Sequence, residues 1–253
     1  MLRLFLRKVR VALTPRHWLL RTRLACGATV CGLNRAGYGG RYIYIFGETI
    51  EPEFAALEKF LMPGGVLMDI GGNTGIYTVK AAQYFRAHGG GTVVTYEPLP
   101  EMLMDLQRNI QLNQFDNVRL RSFCLGAQPG TAEFWINHNR PASSSLVSRD
   151  PAAACRSMLV LRLDDVFPLE KLTRLDYVKI DVEGAEAQVL AGARETFKKF
   201  RPIIQLEINH EEAALNLSEY SEWQSPGGPN KICIPNENPK NEVARQLGWQ
   251  KIS

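Results

Sequence analysis

Residues 66–83, VLMDIGGNTGIYTVKAAQ, constrain the fold more than any other stretch of this 253-residue chain. Val66, Leu67, Met68, Asp69 and Ile70 form a short, mostly apolar run after the turn signal Pro63-Gly64-Gly65, the pattern of a buried parallel strand. From Ile76 onward the apolar and small residues Ile76, Val79, Ala82 and Tyr84 or Phe85 fall near helical spacing, so the strand runs directly into a helix. Gly71, Gly72 and Gly75 therefore occupy a strand-to-helix turn. Lacking Cβ atoms, they let the backbone approach a ligand closely, and the helix start offers unpaired N–H groups to polar or anionic atoms.

The spacing G-G-x-x-G differs from the G-x-G-x-x-G that seats a pyrophosphate, which disfavours a dinucleotide. After about 25 residues, the spacing usual in doubly wound folds, a second strand at residues 92–96 ends in Glu97, followed by Pro98. An acidic residue there accepts hydrogen bonds from both hydroxyls of a ribose cis-diol. A nucleoside-containing ligand is the expectation.

Further along, strands and helices alternate. A helix over residues 51–61 precedes the first strand, another follows at 99–113, and residues 116–126, DNVRLRSFCLG, read as one third strand. Residues 131–137 add a strand, 138–157 form a Ser-, Pro- and Arg-rich loop, and 158–167 return to a strand entering a turn. Residues 175–200 repeat the opening grammar of strand, acid, glycine and helix, and 201–210 form another buried strand. This alternation predicts an α/β fold: a doubly wound, mostly parallel sheet with helices on both faces. Three regions follow: a basic segment at 1–47, a core at 48–216 and an extension at 217–253, either weakly structured or completing the sheet edge.

The net charge of +4 is unevenly spread. Residues 1–47 hold nine Lys or Arg and no acid; removing those nine from 30 leaves 21 cations against 26 acids elsewhere. A mildly acidic core argues against a nucleic-acid partner. Within residues 1–14, Leu2, Phe5, Leu6, Val9 and Leu13 share one helical face and Arg3, Arg7 and Arg10 another. That helix either packs its apolar face on the core, the default expectation, or makes peripheral contact with an anionic membrane. Arginines interrupt every apolar run short of a span or a signal peptide, so the expected location is the cytoplasm. Five cysteines without a CxxC pair predict neither a disulfide framework nor a zinc site.

Three stretches together, LMDIGGNTGIYTVKAAQ, VVTYEPLPEMLMDLQRNIQLN and LDYVKIDVEGAEAQVLAGARETFKKFRPIIQLEI, resemble the FkbM-type family of S-adenosylmethionine-dependent methyltransferases over residues 45–210. The resemblance implies a Rossmann-like class I methyltransferase fold and O-methylation of a hydroxyl on a sugar, polyketide or related small molecule. By position, Asp69, Gly71, Asn73 and Gly75 match the family's first cofactor motif, and Glu97 the ribose-binding acid. Asp181, Glu183, Gly184 and Glu186 match the signature after the fourth strand, and SSSL at 143–146 a recurrent patch. The cofactor-binding set is thus Asp69, Gly71, Gly72, Asn73, Gly75, Glu97, Pro98 and Asp181. The two ends depart from the family pattern, and the tail shows no clear final antiparallel hairpin.

Methyl transfer to an aliphatic hydroxyl is an in-line displacement that removes a proton, so it calls for a general base or a metal. Asp181 ends a strand facing the crevice and is the first candidate; Glu207 and His210, at and just beyond the end of the neighbouring strand, are the others. Carboxylates at 181, 183 and 207 also have the chemistry to hold Mg²⁺, although no metal is favoured. The alternatives are a nucleic-acid methyltransferase and a non-catalytic, membrane-apposed protein that keeps the cofactor fold.

Overall fold

Val66 to Ile70 are all buried and run without interruption into the glycine turn, and the rest of the fold is arranged around that strand. The computed structural model describes residues 2–35, 39–136, 154–207 and 219–252. In chain order these form α1 (Leu2–Leu13), β1 (Leu19–Arg23), β2 (Thr29–Leu33), α2 (Gly39–Phe46), α3 (Pro52–Phe60), β3 (Val66–Ile70), α4 (Ile76–Ala87), β4 (Thr92–Tyr96) and α5 (Pro100–Asn113). There follow β5 (Val118–Arg121), β6 (Cys124–Leu125), β7 (Gly130–Ile136), β8 (Ala154–Leu161), α6 (Leu163–Val166), β9 (Tyr177–Ile180), α7 (Glu186–Ala191) and α8 (Arg194–Phe200). The chain closes with β10 (Ile203–Glu207), β11 (Tyr220–Gln224), β12 (Asn230–Pro235), α9 (Lys240–Gln246) and β13 (Gln250–Lys251).

The central sheet has the order β13-β11-β12-β10-β9-β3-β4-β5. β10, β9, β3, β4 and β5 are mutually parallel, whereas β12, β11 and β13 join antiparallel at one edge. After β3 the chain winds outward through β4 and β5, then returns to place β9 and β10 on the other side of β3. That reversal makes a crevice at the carboxyl ends of β3, β4 and β9.

Both faces of the sheet are covered. Leu67, Val93, Tyr177, Ile203 and Ile232 pack under α3, α4 and α9 through Phe54, Leu57, Phe60, Val79, Phe85 and Ala244. Met68, Ile70, Val94, Val178, Ile180 and Leu206 pack on the opposite side against Leu163, Phe167, Leu190 and Phe197. Burial on both faces explains why these strands read as nearly continuous apolar runs.

The stretch expected to be one third strand is broken. β5 ends at Arg121, and β6 belongs to a second sheet of order β6-β8-β7 that stands beside the crevice. Phe123, at the break, sets its ring edge-on to Tyr96 with centroids 5.5 Å apart. Arg119 and Arg121 both bond the buried carboxylate of Glu170, which fixes β5 at the sheet edge.

Beyond the core, the tail completes the sheet. β11, unread in the sequence, pairs antiparallel with β12, and α9 packs beneath. Ser225 donates its hydroxyl to the buried carboxylate of Glu53 on α3, tying the tail to the core.

Residues 19–35 and 39–46 are also packed on the core. β2 runs past α5, where Asn109 acts as a substitute strand edge: its Oδ1 accepts the Cys31 N–H at 2.7 Å and its Nδ2 donates to Cys31 O at 2.9 Å. Asn113 repeats this with both backbone groups of Thr29, at 2.7 Å each. β2 meets α2 at Gly32 and Gly40, where a Cβ on Gly32 would lie 2.7 Å from Gly40 Cα.

The expected packing of the N-terminal helix is overturned. Leu2, Phe5, Leu6, Val9 and Leu13 are exposed, and α1 rests on the domain through Val11, which is buried with Leu20 and Ile45. Among the described residues no helix is long and apolar enough to cross a membrane.

Candidate active site

Period-2 alternation sets Asp69, Lys179 and Gln205 on the same sheet face as α4, and the register aligns them across the strands: Thr95 pairs with Asp69, Asp69 with Lys179, Lys179 with Gln205. A buried polar row therefore crosses four strands just below the crevice. It shapes the electrostatics of everything above it.

The turn after β3 is held from both sides. Gly71 and Gly72 donate N–H bonds to Tyr96 O at 2.9 and 3.1 Å, and Ile70 O accepts the Asp181 N–H at 3.0 Å. Gly71 has φ +86°, and a Cβ there would lie 1.9 Å from Asp181 O, so the close approach of β3 to the end of β9 requires glycine. Gly72 has no room either, since its Cβ would meet Thr95 Cγ2 at 2.3 Å. Asn73 sits in the left-handed region at φ 49°, which asparagine tolerates, and its Oδ1 accepts the Thr74 N–H. Gly75 begins α4 at φ +82° against Leu106.

Above the turn lies a cleft of about 700 Å³, part of it open to solvent, lined by Ile70, Gly71, Asn73, Tyr96, Glu97, Pro98, Leu99, Met102, Phe123, Cys124, Leu125, Phe134, Asp181, Val182 and Glu183. Of the sequence-predicted set, Gly71, Asn73, Glu97, Pro98 and Asp181 line the cleft, while Gly72 and Gly75 sit in the turn and Asp69 in β3 beneath it. Glu207 ends β10 beside the crevice, with its side chain outside the described residues. His210 and the SSSL patch at 143–146 also lie outside them.

Glu97 is buried, and its two oxygens each accept one backbone N–H, from Asn73 at 2.8 Å and Leu99 at 2.9 Å. Burial pushes its carboxyl up to about 7, against those two hydrogen bonds, and the charges of Asp69 and Asp181 add to the rise. Asp69 Oδ2 accepts both the hydroxyl (2.6 Å) and the N–H (3.2 Å) of Thr78, whereas its Oδ1 is buried with no partner. Burial raises this carboxyl too, with Lys179 opposing. A buried carboxylate oxygen with nothing donating to it is an unmet demand for a cation or donor.

Lys179 Nζ donates to Asp181 Oδ2 at 2.8 Å. Burial works against its charge, but Asp181, Asp69 and Glu51 hold it above the ordinary lysine value. The ammonium also sits 4.8 Å over the ring of Tyr77, whose hydroxyl donates to Glu51 at 2.6 Å and accepts from Gln205 at 2.9 Å. Asp181 thus has one oxygen fixed by a buried cation, and Oδ1 has no partner among the described residues. Glu186, matched by the family signature, accepts the N–H groups of Val182 and Gly184 and braces the turn that carries Asp181 and Glu183 to the cleft. Among the described residues no group of three or more His, Cys, Asp or Glu could hold a metal ion.

Sequence reasoning missed the second wall of the cleft, Phe123, Cys124, Leu125 and Phe134, because it ran β5 and β6 together. It also missed Lys179, whose signal was available: a lysine inside a buried parallel strand, two residues before Asp181, must face the same way and find an anion.

The pieces fit S-adenosylmethionine: Glu97 for ribose hydroxyls, the glycine turn for close backbone approach, and an apolar wall for a flat base. Comparison with known proteins identifies the family. The chain is 27% identical over 145 residues to "Methyltransferase 1" of Beauveria bassiana (strain ARSEF 2860), a match covering 50% of this chain and 57% of that protein. It is 26% identical over 159 residues to "Methyltransferase sdnD" of Sordaria araneosa, covering 51% and 60%. The matches thus span little more than half the length of these curated relatives. Among solved structures, the FkbM methyltransferase of Methylobacillus flagellatus KT aligns with a TM-score of 0.47 at 17% identity, over 76% of this chain and 52% of that one. Residues 69–224, well over half of the chain, match the Methyltransferase FkbM domain, from the glycine turn to the antiparallel edge, and the chain belongs to that family.

Proposed function

We propose that this chain is an S-adenosylmethionine-dependent methyltransferase that methylates a hydroxyl oxygen of a small molecule. The observation that carries this reading is the placement of Asp181 at the end of β9, its backbone abutting the cofactor turn at Gly71 and its carboxylate lining the same cleft as Glu97. When bound, S-adenosylmethionine supplies an electrophilic methyl group on a sulfonium. Glu97 would hold the ribose hydroxyls, and the peptides around Gly71 and Asn73 would contact the rest of the cofactor. Lys179 holds Asp181 by Oδ2, which leaves Oδ1 to accept the proton that the acceptor hydroxyl loses as its oxygen attacks. Orientation of the acceptor in line with the breaking bond accounts for most of the remaining rate. Tyr96, Leu99, Phe123 and Phe134 keep that region apolar and limit water.

The lining also bears on the acceptor. Three carboxylates, Glu97, Asp181 and Glu183, and no Lys or Arg line the cleft among the described residues, which disfavours a polyphosphate backbone and favours a neutral or cationic small molecule. The test is transfer of radiolabelled methyl from S-adenosylmethionine to a small-molecule extract compared with total RNA. Label appearing in organic-soluble product, lost in Asp181→Asn, supports the reading. Label confined to RNA refutes the small-molecule acceptor, and cofactor binding with no transfer to any fraction refutes catalysis.

A further inference from the structure

The apolar arc of α1 points away from the protein. At about 100° per residue, Leu2, Phe5, Leu6, Val9 and Leu13 fall within an arc of about 120°, with Val11 on the opposite side. Val11 is buried against Leu20 and Ile45, so it is the narrow side of the helix that is packed. The wide side is turned to solvent: Leu13 is 80% exposed, Leu2 72%, Phe5 62% and Leu6 56%. Trp18, just past the helix, is 58% exposed. Such a contiguous apolar stripe on a folded surface marks an interaction site.

The charges around the stripe identify the occupant. Lys8 and Arg10 are exposed on α1, one on each flank of the arc, and Arg16, Arg21 and Arg23 are exposed nearby. Lys8 lies 5.9 Å over the ring of Phe46, and Arg7 5.9 Å over Tyr44, so their stems run along the domain rather than across the stripe. No acid occurs anywhere in residues 1–47. A second copy packing its own α1 on this stripe would bring Lys8 and Arg10 flanks together with no carboxylate to separate them. Among the described residues no helix is long and apolar enough to cross a bilayer. A short helix with an apolar arc between cationic flanks instead lies in the plane of a negatively charged interface, side chains in the acyl boundary and cations among the headgroups.

We propose that α1 docks this protein on an anionic lipid surface, with Leu2, Phe5, Leu6, Val9 and Leu13 inserted and Lys8 and Arg10 at the headgroups. This surface is independent of the methyltransferase reading and is tested without turnover. The full chain is sedimented with vesicles of phosphatidylcholine alone or containing about 30% phosphatidylserine, at low salt and at 1 M salt. Binding is expected only to the anionic vesicles and is expected to fade at high salt, where screening acts within about 3 Å. The triple variant Phe5→Ser, Leu6→Ser, Leu13→Ser should bind about tenfold more weakly or worse, and Lys8→Gln with Arg10→Gln should weaken binding in the same direction. All substituted side chains are exposed, so both variants should keep the melting temperature and the S-adenosylhomocysteine affinity of the parent. Absence of anionic-vesicle binding, equal binding to neutral vesicles, or an unaffected triple variant would each overturn the proposal. A concentration-dependent dimer abolished by the triple variant, with no vesicle binding, would assign the stripe to a second copy and overturn it as well.

Discussion

Glu97 should make cofactor affinity depend on pH near neutrality. Its carboxyl is pushed from the ordinary 4.5 up to about 7 by burial, so in the cofactor-free protein about half of the molecules carry it protonated at pH 7. The sign follows from linkage. Between 4.5 and 7 the folded chain holds a proton that the unfolded chain has released, so this group's contribution to stability is full below about 4.5 and is lost as pH rises toward 7. Under the proposed role, ligand binding runs the other way, because the ionised carboxylate would accept from both ribose hydroxyls while still serving the Asn73 and Leu99 N–H groups. If only the ionised form grips the diol, about one molecule in ten is competent at pH 6, and affinity for S-adenosylhomocysteine should fall about tenfold from its plateau above pH 8. Calorimetry at pH 6, 7 and 8 measures this, with a proton released on binding below pH 7 seen as a buffer-dependent heat. Glu97→Gln should bind about 5- to 100-fold more weakly at pH 8, the loss for one charged hydrogen-bonding group, and should flatten the pH ratio. A tenfold pH effect that persists unchanged in Glu97→Gln would refute the assignment.

Asp181→Asn should retain most cofactor affinity but lower turnover by about 10² to 10⁴-fold, the range for loss of a general base; steady-state kinetics beside calorimetry separates the two, and near-normal turnover would redirect attention to Glu207 and His210. Activity should survive EDTA, since Asp181 with Lys179 needs no metal; loss restored by Mg²⁺ would establish a metal site. Gly71→Ala should reduce cofactor affinity and cost about 1–3 kcal/mol of stability through strain at positive φ and the collision with Asp181 O, read by thermal melting and calorimetry. Asn109→Ala leaves the buried backbone groups of Cys31 without partners and should cost about 1–3 kcal/mol, read by urea unfolding.

The parallel half of the sheet was legible because its strands are apolar on both faces and are punctuated by glycines: Val66–Ile70 and Thr92–Tyr96 are bounded by residues that cannot continue them. Gly71, Asn73, Glu97 and Asp181 came with those strand ends, since a doubly wound order brings the carboxyl ends of adjacent strands together. The break between β5 and β6 was not legible, because VRLRSFCL keeps strand composition throughout, and the packing of Phe123 against Tyr96 joins residues distant in sequence. β11 and α9 were hidden by the polar residues Glu222, Gln224, Asn241 and Glu242, whose placement depends on the neighbouring strand and not on local pattern. The amphipathicity of α1 was plain, but the side that packs is the one carrying Val11, which meets Leu20 and Ile45, a contact no periodicity announces.

Asn109 does one thing more than hold β2. Its Nδ2 also donates to Thr74 O at 2.8 Å, inside the glycine turn, so one amide group on α5 is bonded at once to the N-terminal hairpin and to the cofactor loop. A Cβ on Gly39, at the start of α2, would lie 2.4 Å from Thr74 Oγ1, so α2 abuts the same loop. The hairpin and the loop are thus tied through one amide, and a ligand that orders the loop is expected to slow opening of the hairpin. In amide hydrogen exchange, S-adenosylhomocysteine should protect Cys31 and Thr29, residues outside the set that lines the cleft, and Asn109→Ala should abolish that distant protection while leaving protection at Gly71 and Asn73 largely in place.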